Sequence, residues 1–383
     1  MSILSKNLKI CKECIQPNTR PGIFFDDNGV CGACLWEKEK QKINWKNRQK
    51  EFKQIIKNAK SRGSNYDCAI GVSGGKDSTT QAIIAKENGL NCLLVNSEPN
   101  NITDLGRKNI ENLKNIGFDV ISIRTNPKIL KKLMKFDFYT NLNPVKITEF
   151  SLWASTYIIA EKFDIPLIIQ GENPGLTLGT RLTGVGTNDN CLNANKLQTL
   201  SSGWERYLKE VDEKELFLFK YNPEILEKKQ VRGIWLNYYF KEWSNYNSLK
   251  IALKNGFSIR DESIKPEDIG TYVKEGSKPG RYFQLDTDMT QVNQLLKFIK
   301  FGFGQCMDHV CYDIREGLIS RKKGIELVKK YDGKCSKKYI KKFTDFVGIT
   351  MNEFWDVTEK HRGEIWKKDS KGKFRNVIWE RFI

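Results

Sequence analysis

The octapeptide Gly71-Val72-Ser73-Gly74-Gly75-Lys76-Asp77-Ser78 directly follows an apolar run, Asp67 to Val72, and opens a stretch with helical spacing. Adjacent glycines let a backbone curl until several N–H groups face one anion. The hydroxyls of Ser73 and Ser78 add donors, and the start of a helix adds partial positive charge. Such a turn is a pyrophosphate cradle, with Ser73, Gly74, Gly75, Lys76, Asp77 and Ser78 as its candidate binding residues. The alternative is a plain Gly-Ser turn between strand and helix. The spacing fits neither Gly-x-x-x-x-Gly-Lys-Ser/Thr nor Gly-x-Gly-x-x-Gly.

A second pattern pairs Cys11-x-x-Cys14 with Cys31-x-x-Cys34. Thiolates two residues apart wrap one ion, and two such knuckles close a tetrahedral all-sulfur shell that leaves no position for a reacting water. This reads as structural Zn²⁺, with an iron–sulfur cluster or unliganded thiols as the alternatives. The other six cysteines are scattered and form no disulfide framework.

Two further clusters carry ionisable groups. Gly302 to Arg315 brings together Asp308, His309, Tyr312, Asp313 and Arg315, a density suited to gripping a substrate or moving a proton. A buried polar knot between helices, or a second metal held by Cys306, His309 and Cys311, would use the same residues. Gln170-Gly171-Glu172-Asn173-Pro174-Gly175 ends a later apolar run. In open α/β sheets ligands lie over the carboxyl ends of strands, so Glu172 and Asn173 are expected to point at whatever the cradle holds. An ordinary Asn-Pro-Gly turn is the other reading. Asn96 and Ser97, ending another run, either edge an adenosine pocket or serve structure alone. His361, beside Arg362, reads as solvated. Trp235, Tyr238, Tyr239, Phe240 and Trp243 read as core more than as a base-stacking surface.

These residues need a frame. Short apolar runs at 67–72, 92–96, 120–123 and 166–170 alternate with helical stretches at 78–88, 103–116 and 147–163. That alternation predicts a doubly wound α/β domain with a parallel sheet, spanning 61–300 and interrupted by a long loop insertion at about 173–230. A further strand is expected at 233–239, and helices at 285–300, 316–331 and 336–347. Residues 1–36 form a small Cys-rich module too short to fold without a staple, 37–60 a linking helix, and 301–383 a mainly helical region.

With 39% hydrophobic and 29% charged residues among 383, disorder and collagen-like repeats are excluded. No run approaches the roughly 20 apolar residues that a bilayer requires, and Met1 to Ser5 lacks a signal-peptide apolar region. A cytoplasmic protein without membrane insertion is expected. The net charge of +18 favours polyanionic partners such as nucleotides, sugar nucleotides or nucleic acid.

Ser-Gly-Gly-x-Asp-Ser after a strand resembles the PP-loop of ATP pyrophosphatases, the adenine nucleotide alpha hydrolase-like type, which split ATP into AMP and pyrophosphate. With the cysteine quartet, Gln170 to Pro174, Phe301 to Arg315, Lys330 to Cys335 and Gly348 to Trp355 in place, the whole chain resembles the N-acetyl sugar amidotransferases of surface-polysaccharide (O-antigen) and nonulosonic-acid pathways, pseudaminic acid among them. The resemblance implies that an acetamido group of a sugar nucleotide becomes an acetamidino group through an O-adenylyl imidate. It also implies ATP and Mg²⁺, and ammonia from a glutaminase subunit and a synthase-like subunit related to imidazole-glycerol-phosphate synthase. The loop would hold pyrophosphate, with Asp77 contacting metal or loop backbone and Lys76 in a variable, solvated position. Glu172, Asn173, Asp308 and His309 would orient the sugar or deprotonate ammonium, and nucleic acid becomes an unexpected partner.

The rival class is a tRNA-modifying PP-loop enzyme, a thiolase or lysidine synthase. Sulfur transfer needs an accessible thiolate near the cradle, and Cys191 is the candidate for it. A degenerate nucleotide-binding scaffold for a glutaminase is the non-catalytic reading.

Overall fold

The computed structural model describes residues 7–181, 187–194 and 203–382. The Met1 to Ser5 start, and parts 182–186 and 195–202 of the expected loop insertion, lie outside the described residues.

Five strands, β1 (Cys68–Val72), β2 (Cys92–Ser97), β3 (Asp119–Ile123), β4 (Leu167–Gln170) and β5 (Arg232–Trp235), form one parallel sheet in the order β3-β2-β1-β4-β5. β1, β2 and β4 are almost wholly buried, which is why they read as unbroken apolar runs. β3 lies at an edge and exposes Asp119 and Ser122. The chain moves outward from β1 to β3 and then returns to β4 on the other side. The order therefore reverses between β1 and β4, and a crevice opens there over the carboxyl ends of the strands. Register aligns those ends: Val72 sits level with Asn96, and Ile70 with Ile169. Ser73, Ser97 and Gly171 consequently leave the sheet on one rim.

The helices relevant here are α1 (Gly32–Lys40), α2 (Trp45–Ser61), α3 (Lys76–Glu87), α4 (Asp104–Asn115), α5 (Pro127–Asn141), α6 (Lys146–Lys162), α7 (Asn245–Lys254), α8 (Met289–Phe301), α9 (Gln305–Arg315), α10 (Arg321–Tyr331), α11 (Lys337–Val347) and α12 (Met351–Lys360). A short antiparallel hairpin, Trp366–Lys368 with Phe374–Asn376, follows.

Several elements differ from expectation for local reasons. The linking stretch 37–60 is two helices, because the Asn44 side chain accepts the Asn47 N–H (3.2 Å) and starts α2 afresh. The helix expected from 316 begins at Arg321, where Ser320 Oγ accepts the Lys323 N–H (3.2 Å). The strand expected over 233–239 stops at Trp235 and turns into a short 3₁₀ segment, Leu236–Tyr238. α5, opened by an Asn126 cap with proline in its first turn, adds a helix to those expected between β3 and β4.

The N-terminal module does not stand apart. Leu8, Ile15 and Val30 share an apolar cluster with Phe303, Met307, Val310 and Val328 of the C-terminal region. Each such buried side chain contributes roughly 1.5–3 kcal/mol. Arg20 pairs with Asp308, and Arg321 Nε donates to the Cys14 carbonyl (3.0 Å).

Candidate active site

The loop after β1 is curled by Gly74 and fixed from behind. Gly74 has φ +76°, and a Cβ there would fall 2.9 Å from the Gly106 carbonyl oxygen, so no side chain fits. Asn109 of α4 donates to the Gly74 carbonyl (3.1 Å) and to that of Ser258 (3.0 Å). Ser78 Oγ accepts the Ser73 N–H (3.5 Å) and donates to the Gly75 carbonyl (3.1 Å). Gly75 caps α3, no side chain among the described residues caps the first N–H groups of that helix, and Asp77 stands in its first turn.

Two cavities adjoin this loop. One, about 260 Å³, runs from Ser73 past Ser97 and Thr125 to the apolar walls of Leu130, Met134 and Met289. The other, about 280 Å³, lies between Ser73, Asp77, Ser78, Gln81, Gln170 and Glu172. Ser73 and Leu152 border both. The loop thus stands between two chambers, the second of which has the Asp77 and Glu172 side chains on its wall. Asp286, on the first chamber, has its carboxyl pushed up to about 6 by burial.

Lys76 is not solvated, as its variable position had suggested. It is 2% exposed, pairs with Asp77, donates to Asn245 Oδ1 (2.9 Å), and lies 4.7 Å from the Phe283 ring centroid. The C-terminal half supplies that ring, so Lys76 fastens the back of the loop to it. Asp77 Oδ1 is buried without a hydrogen-bond partner among the described residues and borders the second cavity. An anionic oxygen left so fits a Mg²⁺ that shares the charge of a bound pyrophosphate.

Glu172 faces the same cavity, held by Trp243 Nε1, which donates to Oε1 (3.1 Å). Burial and the Asp77 carboxylate push its carboxyl up to about 7, against the pull of Lys76 and the Trp243 N–H. Such a group exchanges protons near neutrality. Glu172 also borders a small void shared with Tyr312 and Arg315. The 302–315 cluster therefore approaches the site through Tyr312 and Arg315.

The other candidates sit elsewhere. Asn173 is fully buried; its Oδ1 accepts the Gly175 N–H (2.8 Å) and its Nδ2 donates to the Asn188 carbonyl (2.9 Å), so it shapes the turn instead of facing the cradle. Asp308 is held by Arg20 and Lys297; burial would raise its carboxyl, but those two cations keep it below the usual range. His309 stacks on Phe283 (4.2 Å between centroids), and its Nδ1 is 2.8 Å from Thr271 Oγ1. Burial pushes its imidazole down to about 3, so it stays neutral and is no proton carrier near pH 7. His309 thus backs the Phe283 ring that lies over Lys76, whereas Asp308 borders a small void with Arg20, Tyr312 and Arg315. Asn96 is buried with Nδ2 on Ser122 Oγ (3.2 Å), while Ser97 reaches the first cavity. His361 is half-buried, with Nδ1 3.0 Å from the Val357 carbonyl oxygen. Trp235, Tyr239 and Trp243 are core, although Trp243 also serves Glu172.

The quartet converges. All four cysteines are buried, and their sulfurs lie within 4.8 Å of one another. Cys11 and Cys34 Sγ are 3.8 Å apart, and Cys14 and Cys31 Sγ 3.7 Å. A tetrahedron with metal–sulfur bonds of about 2.3 Å has edges of about 3.8 Å, so the cage fits a single Zn²⁺-sized ion. The N–H groups of Cys31 and Gln16 point at Cys11 Sγ (3.3 Å) and Cys14 Sγ (3.4 Å), which offsets thiolate charge. No second convergent group is present among the described residues, and Cys306, His309 and Cys311 do not form one. Cys191 is fully buried, its thiol pushed up to about 12 by burial. It is not placed as the nucleophile that sulfur transfer needs. Among the described residues, no helix is long and apolar enough to cross a membrane.

A curated relative, the uncharacterized protein MJ1599 of Methanocaldococcus jannaschii, is 32% identical over 78 residues, which is 20% of this chain and 28% of that one. The chain thus spans under a third of that relative's length. Among solved structures, a predicted subunit of tRNA methyltransferase from Methanocaldococcus jannaschii is 18% identical, covering 49% of this chain and 75% of that one, with a TM-score of 0.27. NMN synthetase from Francisella tularensis is 16% identical, covering 57% and 89%, with a TM-score of 0.30. Residues 272–381 match the family described as LPS biosynthesis protein WbpG-like, C-terminal domain. That stretch, with Asp308, His309, Tyr312 and Arg315 in it, is the WbpG-like part of the chain.

Proposed function

We propose that the protein is an ATP-dependent N-acetyl sugar amidotransferase, which converts the acetamido group of a nucleotide-activated sugar to an acetamidino group and releases AMP and pyrophosphate. The observation that carries this reading is the curled loop standing between the two chambers, with the Glu172 side chain on the wall of the second. A nucleotide whose base and ribose fill the first chamber and whose terminal phosphates lie on the loop presents its α-phosphorus to the second.

The chemistry follows from what an amide lacks. Nitrogen donates into the carbonyl carbon, so ammonia cannot displace its oxygen unaided. The amide oxygen attacks the α-phosphorus, the bond to pyrophosphate breaks, and an O-adenylyl imidate results. Ser73, Ser78 and the N–H groups at the start of α3 hold the departing pyrophosphate. Mg²⁺, when bound, neutralises part of its charge, with Asp77 Oδ1 as the protein ligand. Glu172 takes the proton from ammonium, ammonia adds to the activated carbon, and AMP leaves with the former amide oxygen. The Cys11, Cys14, Cys31 and Cys34 cage holds structural Zn²⁺ in this reading. The ammonia comes from a partner glutaminase and its synthase-like companion in the cytoplasm, and the product enters surface-polysaccharide or nonulosonic-acid assembly.

The test is incubation with ATP, Mg²⁺, ammonium and a panel of UDP- and CMP-linked acetamido sugars carrying ¹⁸O in the acetamide. The expected result is AMP containing the label, with a sugar product lighter by the difference between O and NH. Formation of ADP, or unlabelled AMP, overturns the reading.

A further inference from the structure

Gln81 lies on α3 one turn beyond Asp77, is 5% exposed, and lines the second cavity. Its Oε1 has no hydrogen-bond donor among the described residues. A buried carbonyl oxygen left without a donor is costly, and such atoms cluster where a ligand completes them. Gly171 shows how closely the amide is held: a Cβ there would fall 2.3 Å from Gln81 Nε2, so the chain after β4 passes directly against it. Asp77 Oδ1, the other orphan on this helix face, is anionic and suits a cation. Gln81 Oε1 is neutral and asks for an N–H.

We propose that Gln81 Oε1 receives the N–H of the acceptor's secondary amide, which makes the second cavity, beside the cradle, a recognition site for an N-acetyl group with its hydrogen in place. The inference rests on the amidine-forming reading and deepens it. A secondary amide in its usual trans form carries its N–H and its carbonyl oxygen on opposite sides of the C–N bond. Anchoring the N–H on Gln81 therefore turns the oxygen the other way, into the space that opens on the loop.

The contact gains strength as the reaction proceeds. While the amide oxygen bonds to the α-phosphorus, the electron pair of the breaking P–O bond departs with pyrophosphate. The nitrogen lone pair moves into the C–N bond, so positive charge grows on nitrogen and its N–H becomes a far better donor. An acceptor already fixed there binds the transition state more tightly than the ground state. Gln81 takes no proton, because the N–H is retained through to the amidine.

The test compares wild type, Gln81→Met and Gln81→Glu with two acceptors, an acetamido sugar nucleotide and its N-methylated counterpart, which has no N–H. AMP release is read at saturating ATP and ammonium, and ATP binding and thermal midpoint verify each fold. Wild type is expected to prefer the N–H acceptor by on the order of 10²-fold. Gln81→Met is expected to lose on the order of 10²-fold in kcat with that acceptor, keep its KM for ATP, and show no preference. Gln81→Glu, which keeps an acceptor oxygen, restores most of the preference. An unchanged kcat and preference in Gln81→Met overturns the proposal, as does a wild type that handles both acceptors equally well. Should wild type release no AMP with any acetamido sugar, the amidine reading fails by itself. Equilibrium binding of the two acceptors to wild type and Gln81→Met then decides: a preference for N–H that only wild type shows supports the proposal, and equal binding overturns it.

Discussion

Replacing Lys76 by Met removes one ammonium from behind the cradle while keeping a side chain of similar reach. The hydrogen bond to Asn245 Oδ1 at 2.9 Å is lost, a charged–neutral contact of about 1.5–3 kcal/mol. The pair with Asp77 is lost too, but that carboxylate is 34% exposed, so the pair contributes no more than about 1 kcal/mol. The ammonium 4.7 Å from the Phe283 centroid adds about 0.5–2 kcal/mol. Against these stands relief from burying an ion, which offsets much of the sum. The expected net loss is about 2 kcal/mol, or about 2–3 °C in thermal midpoint for a chain of this size. An exposed lysine would change stability by less than about 0.5 kcal/mol. A second readout follows from the electrostatics. Lys76 lowers the Glu172 pKa, so its removal raises that group above its present value of about 7 and moves the acid limb of AMP formation to higher pH. Thermal denaturation of the metal-loaded protein followed by a pH–rate series measures both. A midpoint equal to wild type, together with an unmoved acid limb, refutes the assignment of Lys76 as a buried fastener.

The Glu172 carboxyl is raised by its surroundings, so its basic form is lost as pH falls through about 7. Ammonia-dependent AMP formation should drop about tenfold per pH unit below that point, and Glu172→Gln should remove this limb. Gly74→Ala forces a left-handed backbone and a contact of 2.9 Å with the Gly106 carbonyl. It should destabilise by at least about 1–2 kcal/mol and weaken ATP binding measured by calorimetry, and unaltered affinity would argue against the cradle. Elemental analysis should find one zinc per chain. Cys31→Ser or a strong chelator should abolish the cooperative thermal transition, since structural zinc contributes about 10–16 kcal/mol in small modules, comparable with the stability of a whole domain. Iron with visible charge-transfer absorption would contradict the zinc reading.

The sheet was legible because β1, β2 and β4 are buried on both faces and so appear as continuous apolar runs ending in polar, Gly-rich turns. The loop and the quartet were legible because their chemistry depends on local spacing. What escaped was set by contacts distant in the chain. Nothing near Lys76 in sequence announces Asn245 or Phe283, and nothing near Asp308 announces Arg20. Asn173 carries the signature of a site residue and of a turn alike, and its neighbours Asn188 and Gly175 decide for the turn. α5 was hidden by its lysines, which interrupt an apolar face formed by Leu130, Leu133, Met134 and Phe138. Gln81 belongs to no motif; its only sequence signal is that it shares a helix face with Asp77, four residues earlier.

The intimate packing of residues 8–34 against α9 and α10 bears on how the molecule is made. The apolar flank formed by Leu8, Ile15 and Val30 is covered by Phe303, Met307, Val310 and Val328. During synthesis Leu8, Ile15 and Val30 therefore wait, bare on that flank, until the chain as far as Val328 has left the ribosome. A nascent chain stalled before α9 will be sticky whether or not its cysteines have already captured their ion.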